Sequence, residues 1–166
     1  MSEFRPSDEQ SRIIQVLSEG YHCIADAVPG SGKTTTAIGL GKSLLNSRIL
    51  LLTFSSSLKA EGREKMKSLG IRNIVVHSYN SASLSYYGKG GRDSQEIRDI
   101  LDYDEPLRKR EHFDIVVLDE MQDMTQLFFR LIRKLVSDLD ITPQYLVIGD
   151  KFQGVFEFLG ADRRYL

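Results

Sequence analysis

The sequence has a single cysteine, Cys23, among its 166 residues. That excludes an internal disulfide and a cysteine metal cluster, and it reads as an intracellular, reducing setting. An excess of positive charge is also missing: 22 basic groups stand against 23 acidic ones, a formal −1, so any contact with nucleic acid must be local rather than field-driven. No apolar run exceeds Ile49 to Leu52, far short of the roughly 20 residues that cross a bilayer, and a membrane partner is not expected. The polar start, MSEFRPSDEQ, carries no targeting signal. Repeats, low-complexity tracts and linkers are absent as well. With 41% hydrophobic and 27% charged residues, the expectation is one soluble globular domain, residues 1–166.

Short apolar runs are present at Ile24-Ala25, Ile49 to Leu52, Ile74 to Val76, Ile115 to Leu118 and Tyr145 to Ile148. They are continuous rather than alternating, which predicts parallel strands covered on both faces. Helical periodicity separates them, clearest in Met124, Leu127, Phe128, Leu131, Ile132, Leu135, Val136 and Leu139. Strands alternating with helices predict an α/β fold. At the start, Ser7 and Gln10 are spaced as a capping box, and Gly20 can end the helix that follows. Residues 88–112 break the rhythm: 13 of the 25 are charged and only QEIRDIL looks helical, which predicts a surface insertion.

The segment AVPGSGKTTT, residues 27–36, lies between a strand and an apolar helical stretch, the setting a phosphate-binding P-loop needs. Gly30 and Gly32 let backbone N–H groups approach a phosphate, Lys33 neutralises the outer phosphates, and Thr34 can hold Mg²⁺. The first glycine of the usual pattern is Ala27 here. Further on, IVVLDEMQD, residues 115–123, runs a buried strand into paired carboxylates. At a parallel strand's carboxyl end Asp119 would bind Mg²⁺ and Glu120 would act as general base for water. Asp123 is placed to cap the next helix, with Gln126 in the box position. A third strand leads into GDKFQGVFEFLGAD, where Gln153 could sense a γ-phosphate and Phe156 and Phe158 either stack on bases or pack in the core.

The order AVPGSGKT, LLTFSSSLKAEGREKM, VVHSY, VVLDEMQD and GDKFQGVFEFLGAD resembles the first RecA-like domain of superfamily 1 DNA helicases of the UvrD/Rep type, over Pro6 to about Asp162. The resemblance implies a P-loop NTPase fold, a RecA-like three-layer sandwich around a mainly parallel sheet. It also implies ATP with Mg²⁺ as ligands, held by Pro29, Gly30, Ser31, Gly32, Lys33, Thr34 and Thr35. Gln10 would read adenine, although its capping role is an alternative. Glu120 matches the family's catalytic base, Gln122 the glutamine coupling nucleotide state to domain motion, and Gln153 the γ-phosphate contact. Thr53, Phe54 and Ser55 match a segment facing single-stranded DNA, as does His77 with Ser78; a structural histidine is the other reading of His77.

The sequence departs from that family at Ser56 (usually asparagine), at Thr35 and at Leu159 (both usually arginine). It also stops before a second RecA-like domain, the source of arginines worth about 10³ to 10⁵ in rate. Slow turnover is therefore expected unless a second RecA-like domain acts as partner in cis or in trans. The alternatives are a nucleotide-binding or interaction module without helicase activity and, less well matched, a small P-loop kinase.

Overall fold

The computed structural model describes residues 6–26, 33–54, 56–90 and 94–149. The chain starts with α1, Asp8–Ser18, built on the expected capping box: the Gln10 N–H donates to Ser7 Oγ at 3.2 Å and the Ser7 N–H to Gln10 Oε1 at 3.0 Å. Then follow β1 (Cys23–Asp26), α2 (Lys33–Ser43), β2 (Ile49–Thr53), α3 (Ser56–Ser68), β3 (Ile74–Ser78) and α4 (Tyr79–Tyr87). The second half contains α5 (Ser94–Asp102), β4 (Ile115–Leu118), a 3-10 turn at Met121–Asp123, α6 (Gln126–Asp138) and β5 (Gln144–Gly149).

Among the described residues the strands form one sheet in the order β1-β5-β4-β2-β3, and every pairing is parallel. From β1 to β3 the chain crosses the sheet in one direction; from β3 to β5 it returns. Right-handed crossovers must then place helices on opposite faces during the two passes. The cores agree. Leu50, Leu52, Val116, Leu118 and Val147 point to one face, where they pack with Tyr79, Tyr86, Ile100 and Leu135 of α4, α5 and α6. Their strand neighbours Ile49, Ile115, Val117, Leu146 and Ile148 point the other way, onto Ile13 and Leu17 of α1 and Leu40 of α2. Met66 of α3 joins Ala37 and Val76 on that second face. The result is the expected three-layer α/β sandwich.

Three sequence expectations need correction. Coverage on both faces holds for β2, β4 and most of β5, but β1 is an edge strand whose Ile24 is 41% exposed. Asp123 does not cap α6: the 3-10 turn moves the helix start, and Thr125 is the N-cap, its side chain accepting from the Phe128 N–H. The charged stretch is also more than surface, because its helix α5 buries Ile97 and Ile100 in the larger core.

Candidate functional site

All carboxyl ends of a parallel sheet lie on one edge, and ligands of open α/β sheets bind outside that edge where the strand order reverses. Here the edge gathers the exit of β1 towards α2, Thr53 and Phe54 after β2, Ser78 and Tyr79 after β3, Asp119 and Glu120 after β4, and Gly149 at the end of β5. The crossover from β1 passes β5 and β4 to reach β2, so β4 stands in the middle of the reversal.

Asp119 continues β4 by one residue. Its N–H donates to the Leu52 carbonyl at 2.9 Å, and it is only 5% exposed. Its Oδ1 accepts the Glu120 N–H at 2.8 Å. Glu120 itself is half-buried and left-handed, with φ 55° and ψ 43°. That conformation costs a residue with a Cβ about 1–2 kcal/mol, and it persists only where the surroundings impose it. The surroundings are specific: Met121, fully buried, anchors the next turn, and the Asp123 N–H closes back on the Glu120 carbonyl at 2.9 Å. The strand delivers the carboxylates to the edge, and the turn sets the direction of the second one.

A residue that sequence reasoning did not single out holds this turn. The buried Tyr79 hydroxyl donates to the Asp119 carbonyl at 3.2 Å. Burial, followed by the charges of Asp119 and Glu120, pushes the Tyr79 phenol well above its ordinary range, so it stays a protonated donor. Its ring lies 4.4 Å from Phe54 and 5.6 Å from Phe128, which also touch each other edge-on at 5.4 Å. The only sequence signal was an aromatic directly after the Ser78 helix cap at a strand's carboxyl end.

The other sequence-predicted residues fall into two sets. Thr53 and His77 are buried at the ends of β2 and β3, and Phe54 is half-buried in the aromatic cluster. His77 Nδ1 lies 3.3 Å from Ser81 Oγ and its ring meets Tyr86 at 5.8 Å, the contacts of a structurally embedded histidine. Gln10 lies on the opposite flank, where its Nε2 donates to Thr36 Oγ1 at 3.4 Å. The Gln10 carboxamide thus serves the capping box and ties α1 to the first turn of α2, beside half-buried Thr35. Pro29, Gly30, Ser31, Gly32, Ser55, Gln153, Phe156 and Phe158 lie outside the described residues, as do the side chains of Lys33, Thr34 and Gln122.

Mg²⁺ requires oxygen ligands and keeps several waters, so one or two protein carboxylates with ligand phosphates suffice. With Glu120 left for the water, Asp119, whose Oδ1 accepts the Glu120 N–H while its second carboxylate oxygen is a further acceptor, fits that demand as the carboxylate ligand. A closed protein cage does not: among the described residues no group of three His, Cys, Asp or Glu side chains could hold a metal. Nor, among them, is any helix long and apolar enough to cross a membrane.

Residues 10–159 match the family model of an AAA domain. No curated protein matches the chain. Among solved structures it is similar to the Sulfolobus solfataricus SWI2/SNF2 ATPase core in complex with dsDNA, with TM-score 0.55, 14% identity, and coverage of 95% of this chain and 35% of that one. It is also similar to the Pyrococcus furiosus Hef helicase domain, with TM-score 0.56, 16% identity, and coverage of 93% and 36%. At such identities the likeness is one of fold, that of a RecA-like helicase core. The chain spans about a third of the length of those two structures.

Proposed function

The chain belongs to the AAA domain family, and from that premise we propose that it is the ATP-binding domain of a DNA helicase of the UvrD/Rep type, coupling ATP hydrolysis to movement along single-stranded DNA once a second RecA-like domain completes the site. The observation that carries the reading is the carboxylate pair at the end of β4, with Glu120 held left-handed on the edge where β1 hands over to α2. Asp104 and Asp140 are left-handed as well, so the conformation alone does not mark a base; what supports the reading is that Glu120 stands at the carboxyl edge directly after the buried strand β4, where a base for water would be needed.

In this reading Gly30, Gly32 and the N-terminus of α2 receive the phosphates through backbone N–H groups, and Lys33 neutralises their outer charge. Thr34 and Asp119 would hold Mg²⁺, which supplies charge neutralisation at the phosphates when bound. Asp119 gives one carboxylate oxygen to the Glu120 N–H, which fixes its carboxyl plane. Glu120 accepts a proton from water attacking in line, and Gln153 contacts the γ-phosphate. The neighbouring ends of β2 and β3 would form the side towards single-stranded DNA, with Thr53, Phe54 and His77 supporting that edge from within the fold and Ser55, Phe156 and Phe158 as candidate contacts. Gln122, one residue into the 3-10 turn, connects the base to domain movement. The likeness to the Hef helicase domain and to an ATPase core bound to dsDNA supports a nucleic-acid partner.

Nucleotide binding tests the phosphate site directly. Titration with Mg-ATP should give saturable binding that weakens about tenfold or more in Lys33→Ala, the loss of a charge-assisted contact to phosphate. Unchanged affinity in that variant would contradict the reading.

A further inference from the structure

The peptide plane between Asp119 and Glu120 is shared by two torsions, ψ of Asp119 and φ of Glu120. Rotation of that plane would carry Glu120 from its left-handed φ of 55° into the ordinary negative region and relieve its strain. The same rotation would swing the Asp119 carbonyl oxygen away from its present direction. That oxygen is where the Tyr79 hydroxyl donates, at 3.2 Å. The donor comes from outside the turn: Tyr79 opens α4 behind β3, and β3 is separated from β4 by β2, a distance of about 10 Å across the sheet. The phenol spans that gap because Phe54, at the end of β2, fills the space beneath it. A phenolic oxygen lies in the plane of its ring. With the ring only 1% exposed and packed against Phe54 and Phe128, the hydroxyl cannot follow a rotating carbonyl.

We propose that Tyr79 is a positioning residue for Glu120: its hydroxyl pins the Asp119–Glu120 peptide plane and keeps the glutamate in the left-handed conformation that presents it at the carboxyl edge. The functional half of this inference rests on the reading of Glu120 as general base; the structural half stands without it. The bridge also joins ends of three neighbouring strands, so the β2 and β3 side of the edge and the carboxylate turn share one aromatic cluster.

The experiment compares wild type with Tyr79→Phe, which keeps the ring and removes only the hydroxyl. In the nucleotide-free chain, NMR should show the Glu120 Cα and Cβ shifts moving away from left-handed values. Amide exchange should accelerate about fivefold or more across Glu120–Met124, while β2, β4 and β5 keep their protection. Phe54→Leu, which thins the packing behind the ring, should move the same signals in the same direction and provides a second variant if Tyr79→Phe fails to fold. In ATPase assays with single-stranded oligonucleotide, kcat should fall about tenfold with KM for ATP within twofold of wild type.

Unchanged Glu120 shifts and exchange in both variants would overturn the proposal. Uniform acceleration of exchange throughout the sheet would also overturn it, by reducing Tyr79 to a packing residue. Absence of Mg-ATP binding in the wild type would defeat the function proposed above, while the NMR comparison would still decide what holds the turn.

Discussion

A left-handed glutamate is a local cost that the rest of the fold sustains. Glycine accepts φ 55° without the Cβ clash, so Glu120→Gly should raise stability by about 0.5–1 kcal/mol in urea unfolding while removing the proposed base. Destabilisation by that substitution would mean that the Glu120 side chain supports the fold rather than serving chemistry. Both residues of the carboxylate pair, Asp119 and Glu120, were legible in the sequence, because an apolar strand running into two acids is a local pattern. The grip on them was not. Tyr79 reaches Asp119 across 40 positions of sequence, and no spacing rule in the chain connects a residue opening α4 with the end of β4. Gln10 illustrates the opposite case, in which the capping box read from Ser7 and Gln10 is formed as written and additionally reaches Thr36.

At the scale of elements, continuous apolar runs located each strand, since a parallel strand must exclude water on both faces. Which strand lies at an edge depends on neighbours that a run cannot name, and β1 is the example. Its alternating exposure records a sheet face left open at Ile24, for β3, also at an edge among the described residues, shows no such alternation. The start of α6 was misplaced for a local reason: a 3-10 turn separates Asp123 from the helix, leaving Thr125 to cap it. Within the charged residues 88–112 QEIRDIL was legible as a helix, but the surrounding charge hid that its apolar positions 97 and 100 join the larger core. Ile100 is fully buried, so Ile100→Ala should cost about 2–5 kcal/mol in denaturant unfolding. A cost near zero would return that stretch to the surface role its composition suggests.

At the scale of the whole molecule, the strand order collects the exit of β1, the aromatic cluster and the carboxylate turn on one edge, the edge on which the proposed nucleotide site and its nucleic-acid side would lie. The fold was legible because alternation of strand and helix fixes an α/β sandwich and handedness then distributes the helices. The partner that would complete the site is written nowhere in these elements. On the proposed reading, this domain by itself would bind nucleotide yet turn over slowly, because arginines from a second domain would be needed to offset the charge of the transition state. The most direct test of this account is Mg²⁺-dependent ATP hydrolysis by the purified chain, measured with and without single-stranded oligonucleotide and with a second RecA-like domain added in trans, against Glu120→Gln. The account predicts slow turnover that rises with oligonucleotide and the added domain and disappears in the variant. Hydrolysis that persists in Glu120→Gln would contradict it.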